Sequence, residues 1–172
     1  MANILETVRA EGECSRYIMG VESITGLTEI LSWPGMFTLF VPTDSAFDSL
    51  PDDQRVYLFA HPKKLSKVLR YHIVSGHFTV DDLLDRLFLK TLEGQPLRVW
   101  SSISEVPLGE KDIATYKDAL TYISTKTVTT EVRQSIKING AHIIRANINA
   151  DNGIVHVIDK VLIPPFTVLN EP

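Results

Sequence analysis

A single cysteine, Cys14, stands among the 172 residues, which excludes an internal disulfide framework. No run approaches the roughly 18 apolar residues that a membrane-spanning helix requires. The longest candidate, Gly153 to Phe166, is interrupted by His156, Asp159 and Lys160. Basic charge is scarce too: 17 Lys and Arg against 21 Asp and Glu leave a net charge of -4, which excludes a broad electrostatic grip on nucleic acid. The chain has no Asn-x-Ser/Thr acceptor, no Gly-x-Ser-x-Gly elbow, no glycine-rich phosphate loop and no internal repeat. Its first residues lack a basic n-region, and Glu6, Arg9, Glu11 and Glu13 break any apolar core of a leader. The expected location is therefore cytoplasmic or another intracellular compartment, or secreted if a leader preceded this start.

Against these absences, 44% of the residues are hydrophobic and 22% charged, enough apolar material for one core and too little charge for a disordered chain. Helical spacing marks Ile4 to Val8, a stretch from Cys14 through Val21, and Leu27 to Leu31. Phe37 to Val41 is a short apolar run of strand propensity closed by Pro42. Thr43 and Thr79 are placed to cap helices, each followed by aspartate in the first turn. Between them, Leu65, Val68, Leu69, His72 and Ile73 form one stripe of a helix expected to run from His61 to Val74, with Lys63, Lys64, Lys67 and Arg70 on its far side. After Leu87 the pattern turns to strands: Phe88 to Leu92, Leu97 to Ser101, Ile136 to Ile138, His142 to Asn149 and Gly153 to Ile163. Gly94, Asn139-Gly140 and Asn152-Gly153 mark turns, with Gly153 expected at positive φ. Ile154 to Ile158 is apolar on both faces, which predicts a central, covered strand. Helices first and strands later predict an α+β fold.

The order FTLFVPTDSAF (Phe37–Phe47), YHIVSG (Tyr71–Gly76), TLEGQPL (Thr91–Leu97), ING (Ile138–Gly140) and NGIVHVIDKVLIPP (Asn152–Pro165) resembles the fasciclin domain family. The likeness covers the chain from about Ile4 to Pro165. It implies a β-wedge of about six to seven strands packed against several short helices, with the first and last motif segments paired as neighbouring strands. It also implies a non-enzymatic module for adhesion and other protein–protein contacts; some members in photosynthetic organisms bind carotenoid. Residues 1–172 are read as one such domain carrying an insertion at 100–134, where the family has a short hairpin. An irregular start, a short helix on Ile113, Tyr116, Leu120 and Ile123, and then an extended arm are expected there. The receptor-binding motif that animal members carry near the last strand has no counterpart in Phe166 to Pro172.

Candidate chemistry is thin. His72, on the apolar stripe, reads as a half-buried histidine donating to a backbone carbonyl; the resemblance adds an adhesive role for the Tyr71-His72 pair. His77, His142 and His156 show no metal-ligand spacing, and no metal is expected. Asn147-x-Asn149-x-Asp151 begins like a calcium loop, but Asn152 and Ile158 occupy the positions that need glycine and glutamate. Cys14 reads as a small buried hydrophobe, and Asp81, Asp82 and Asp85 as a solvated helix start. The expected partner-binding residues are Trp100, Tyr116, Tyr122 and Ile123 of the insertion, with Tyr71 and His72. The expected partner is a protein or a second copy of the chain, within a scaffold or larger assembly. No cofactor is expected; the alternative is a carrier of carotenoid or another apolar ligand in a groove lined by Trp100, Tyr116 and Tyr122.

Overall fold

The computed structural model describes residues 2–112, 126–165 and 167, with the backbone alone over 103–112 and 126–134. Three helices open the chain: α1 (Ile4–Glu11), α2 (Ser15–Ser23) and α3 (Leu27–Ser32). Asn3 and Glu6 form a reciprocal capping box on α1, and Gly12 ends it at φ 77°. Cys14 offers α2 no side-chain cap. Asp44 supplies it from elsewhere, accepting from the Arg16 amide and the Ser15 hydroxyl at 2.7 Å each. Strand β1 (Phe37–Pro42) follows, and Thr43 caps α4 (Asp44–Asp48) as its position predicts.

Helices α5 (Asp52–Ala60) and α6 (Pro62–Arg70) come next, with Pro62 in the first turn. The expected helix to Val74 is corrected: α6 stops at Arg70, and Ile73–Ser75 is strand β2. The Phe40 amide takes the His72 carbonyl, and Leu39 and Thr38 pair with Ile73 and Val74, so the sheet outcompetes the last helical turn. Thr79 and Asp82 form a capping box on α7 (Val80–Leu84).

The strands then run β3 (Phe88–Lys90), β4 (Pro96–Asp112), β5 (Lys126–Ile138), β6 (Ala141–Ala150) and β7 (Gly153–Ile158), in one sheet of order β2-β1-β7-β6-β5-β4-β3. The irregular start expected for the insertion is corrected, since β4 continues as strand through Asp112. The proposed helix on Ile113, Tyr116, Leu120 and Ile123 lies outside the described residues. The chain divides into two compact units, residues 1–100 with 136–172, and residues 101–135; the second contains the continuations of β4 and β5.

Within the first unit, β1 and β7 pair in parallel from Phe37 opposite Gly153 to Pro42 opposite Ile158, the neighbour relation implied by the two motif segments. Alternate residues of these strands face two cores. Leu39, Val41, Val155 and Val157 pack with the helices, while Phe40 and Ile158 join Tyr71, Leu89, Leu97 and Ile138 inside the sheet's curve. Coverage of both faces explains the unbroken apolar run of β7. The two edge strands almost meet: Val74 bridges Thr91, and the Leu92 amide donates to the Ile73 carbonyl at 2.9 Å. The seven strands thereby come close to a barrel.

Gly153 corrects another expectation. It is absent from the residues with positive φ. A β-carbon there would overlap the Phe37 carbonyl; glycine lets β1 and the β6–β7 turn approach, rather than letting the turn adopt a left-handed backbone.

Candidate functional site

The expected contact residues separate into three groups. Tyr71 and His72 are fully buried. The Tyr71 hydroxyl donates to the Pro96 carbonyl at 2.9 Å and accepts from the Asn139 amide at 2.7 Å. His72 Nδ1–H donates to the Val68 carbonyl at 2.7 Å, while Nε2 accepts from the Leu162 amide at 2.9 Å. This fixes the neutral tautomer and ties α6 to the chain after β7. Both side chains position structure and present no surface. Tyr116, Tyr122 and Ile123 lie outside the described residues. Trp100 is half exposed on the outer face of β4, and the structure does not bring it together with Tyr71 and His72.

The surroundings of Trp100 follow from strand alternation. Phe88 stands opposite Arg98, Leu89 opposite Leu97 and Lys90 opposite Pro96. Leu89, Leu97 and Val99 turn inward and are buried, so Phe88, Lys90, Arg98 and Trp100 share the outer face. The Arg98 guanidinium lies over the Trp100 ring, 4.0 Å from its centroid. Phe88 is 57% exposed, Trp100 52% and neighbouring Leu87 73%. Large apolar side chains held in the open by a short, fully paired ribbon have the composition of an interface core with a cationic rim. Sequence reasoning singles out Trp100 but not Phe88 and Arg98, which the structure places beside it on the outer face. Register was the missing signal, because Phe88 and Arg98 become neighbours only once β3 and β4 pair.

The remaining candidates resolve into structure. His156 Nε2–H donates to the Phe78 carbonyl at 2.7 Å, and its Nδ1 accepts from the Asn147 amide at 3.1 Å. Burial lowers the pKa of both His72, to about 4, and His156. The calcium-like segment is a bulge: β6 shifts register on either side of Arg145, and Asn147 sits at φ 58° with its side chain accepting from the Val80 amide. Cys14 is buried, and desolvation followed by the charge of Asp44 raises its pKa to about 11. Among the described residues no cluster of His, Cys, Asp and Glu is arranged to hold a metal. On the helical side, Met19, Val56 and Phe59 line an apolar groove with Arg16 and Arg55. Both arginines are already paired with Asp48. Of the basic face on α6, Lys67 lies 3.8 Å from Glu93 and Arg70 donates to Ser66.

The model of the fasciclin domain matches residues 12–164 of this chain. The chain belongs to the fasciclin domain family. The protein sll1735 of Synechocystis sp. is 29% identical over 163 residues, which are 95% of this chain and 98% of that protein. The transforming growth factor-beta-induced protein ig-h3 of Sus scrofa is 28% identical, matching 96% of this chain and 20% of its own length. Stabilin-1 of Homo sapiens is 34% identical over 142 residues, 81% of this chain and 4% of that protein. The fasciclin domain thus spans a fifth or less of these two animal relatives. A FAS1 domain pair from the insect cell adhesion molecule fasciclin I shares the fold, with a TM-score of 0.59 at 20% identity, covering 91% of this chain and 47% of that one. Of these relatives, fasciclin I is a cell adhesion molecule. The carrier alternative finds no support among these relatives. No helix among the described residues is long and apolar enough to cross a membrane.

Proposed function

We propose that this fasciclin domain is a non-enzymatic protein-interaction module of adhesion or scaffold type, whose contact face is the outer side of β3 and β4 around Trp100. The observation that carries it is the exposure of Phe88 and Trp100 on the outer face of one ribbon, with Arg98 stacked on the indole. Burying each large apolar side chain under a partner contributes about 1.5–3 kcal/mol before association entropy is subtracted. Arg98 holds the indole in place beforehand, so less side-chain freedom is lost on binding. The partner is a protein, either another component of an assembly or a second copy of the chain. Tyr116, Tyr122 and Ile123, outside the described residues, are proposed separately as contact residues on their residue type alone.

The test compares material isolated from the source with a Phe88→Ala/Trp100→Ala double variant expressed in its place. Native mass spectrometry of the unsubstituted protein shows it in a complex of defined composition. The variant, with an unchanged circular dichroism spectrum, is recovered without that partner. Recovery of the same complex by the folded double variant would remove this face from the interaction.

A further inference from the structure

The outer face of the sheet is closed on one side by the chain's own helices. Helix α1 packs over β6 and β7, and Ile148 and Ala150 join the helical core there. The cover brings charge as well as apolar surface. Arg145, on the same side of β6, meets Glu11 and Glu13 at 3.1 Å each. Where a helix covers the sheet, an outward cation is matched by carboxylates.

Among the described residues nothing covers the other half, from β3 to the start of β6. Leu89, Leu97, Val99, Ile136, Ile138 and Ala141 point into the inner core. Their neighbours Phe88, Lys90, Arg98, Trp100, Lys137 and His142 therefore point outward, and all six are exposed. Ile144, one residue beyond the inward Ile143, is 50% exposed. Pairing sets these side chains on one surface. Phe88 stands opposite Arg98, and Lys137 opposite His142. Asn139 ties the end of β5 to β4, its amide donating to the Arg98 carbonyl at 2.9 Å and its side chain accepting from the Arg98 amide at 2.7 Å.

The charge of this open half is one-sided. It carries Lys90, Arg98 and Lys137, and residues 88–90, 96–100, 136–138 and 141–144, which form it, include no acidic residue. The chain as a whole has a net charge of -4. Arg98 lies on an indole ring, and Asp159, beside His142, already accepts from the His142 amide at 2.8 Å and faces its ring at 3.4 Å. Single exposed apolar residues or lysines need no explanation. Three cations set among exposed Phe88, Trp100 and Ile144 on an acidic chain are a segregated patch. An apolar centre bordered by one sign of charge matches a surface with an apolar centre and the opposite sign. Helix α1 over Arg145 is that arrangement completed within the chain.

We propose that the open outer face from β3 to β6 docks an acidic surface of a protein partner, which buries Phe88, Trp100 and Ile144 and sets its carboxylates against Lys90, Arg98 and Lys137. This assignment rests on the interaction role given above and names the partner's chemistry. The probe is a fluorescein-labelled copolymer of Glu and Tyr, titrated into the full chain by fluorescence anisotropy. A copolymer of Lys and Tyr controls for aromatic contact alone, and a single-stranded oligonucleotide of similar length for negative charge alone. Lys90→Glu/Lys137→Glu alters the face. Lys63→Glu/Lys64→Glu makes the same change in net charge on α6.

The Glu and Tyr copolymer is expected to bind with an affinity that falls as salt rises. Lys90→Glu/Lys137→Glu weakens it about tenfold at an unchanged unfolding midpoint, and Lys63→Glu/Lys64→Glu by less than about twofold. A carbodiimide, which joins carboxylates to amines, links the copolymer to Lys90 and Lys137 of the unsubstituted chain, so the location does not depend on how a variant folds. Absence of copolymer binding, equal weakening by the two double variants, or links confined to Lys63 and Lys64 would each overturn the assignment. Tighter binding of the oligonucleotide overturns it in favour of nucleic acid. A dimer of the chain dispersed by Lys90→Glu/Lys137→Glu overturns it in favour of a second copy. If the native complex is lost by Phe88→Ala/Trp100→Ala and kept by Lys90→Glu/Lys137→Glu, the interaction role stands and the acidic chemistry falls. If both variants keep it, the face itself falls.

Discussion

His72 Nε2 stands 2.9 Å from the amide nitrogen of Leu162, ninety positions further along the chain, and accepts its proton. Protonating that ring would place two donors face to face in a site with no exposure to water. His156 is in the same position toward the Asn147 amide. Desolvation, partly opposed by the bond to Val68, takes His72 from 6.5 to about 4, and desolvation also lowers His156. The unfolded chain therefore takes up these protons first. Their contribution to stability is complete above about pH 6.5, declines as the pH falls, and for His72 is gone near pH 4. The interval corresponds to roughly 3 kcal/mol for His72. Urea unfolding at about pH 7 and about pH 4.5 should show the loss, and His72→Gln should have a flatter pH dependence. An unfolding free energy that is the same at both pH values would contradict it.

Asn152 joins three distant elements. Its Oδ1 accepts from the Ile4 amide at 2.9 Å, and its Nδ2 donates to the carbonyls of Leu31 at 2.6 Å and Trp33 at 3.0 Å. The side chain is 4% exposed. Asn152→Ala leaves buried backbone groups unsatisfied and is expected to cost about 3 kcal/mol. Asn152→Asp costs as much, since a carboxylate cannot donate to two carbonyls. Denaturant midpoints for the two variants, at unchanged m-value, are the measurement; a midpoint within error of the parent for either one sinks the prediction.

What could be read from the sequence, and what could not, divides along the range of each interaction. Thr43, Thr79 and Pro62 were legible as helix starts because a cap acts within one turn of its own helix. The parallel pairing of β1 with β7 came from the resemblance of two motif segments, and no local pattern encodes it. The α6 stripe ran past its true end because Ile73 is buried in the strand as it would be in a helix, so burial alone could not separate the two. The Asp44 cap of α2, the His156 contact that absorbs the β6 bulge, and the outward row of Phe88 and Arg98 all depend on residues brought together by folding. No single stretch of sequence carries them.

Gly153 and Gly140 make a paired test of two reasons for glycine. Gly140 has φ 86° and nothing near its absent β-carbon, whereas Gly153 has no positive φ and faces the Phe37 carbonyl. Asn tolerates left-handed backbone far better than Ala does. At position 140 Asn should therefore be milder than Ala. At 153 both should destabilise by about 2–3 kcal/mol or more, because any side chain meets β1. Thermal unfolding of the four variants decides it; relief at 153 by Asn would restore the turn explanation.

The Cys14 thiol is expected to be inert. Burial and the carboxylate of Asp44 raise its pKa to about 11, and only the thiolate attacks disulfides. Reaction with a chromogenic disulfide reagent at mildly alkaline pH should be negligible in the folded protein and rapid in denaturant. A fast phase in the native state would show a reactive, accessible thiol.

Alternation along β3 and β4 separates stability from binding within neighbouring residues. Leu89 and Leu97 are only 2% and 0% exposed, while Phe88 and Trp100 are more than half exposed. Leu89→Ala and Leu97→Ala remove core volume and should cost about 2–5 kcal/mol. Phe88→Ala and Trp100→Ala remove side chains that contact little, and each should shift stability by about 1 kcal/mol or less, Trp100 the more because Arg98 stacks on it. If the outer face is the contact surface, the second pair nevertheless costs most of the binding, because exposed aromatics are the groups a partner would bury. The measurement is a denaturant midpoint beside a partner-retention assay for each of the four. A Trp100→Ala variant as unstable as Leu97→Ala would mean that the indole is part of the core's support, and its loss of partner would then say nothing about a surface.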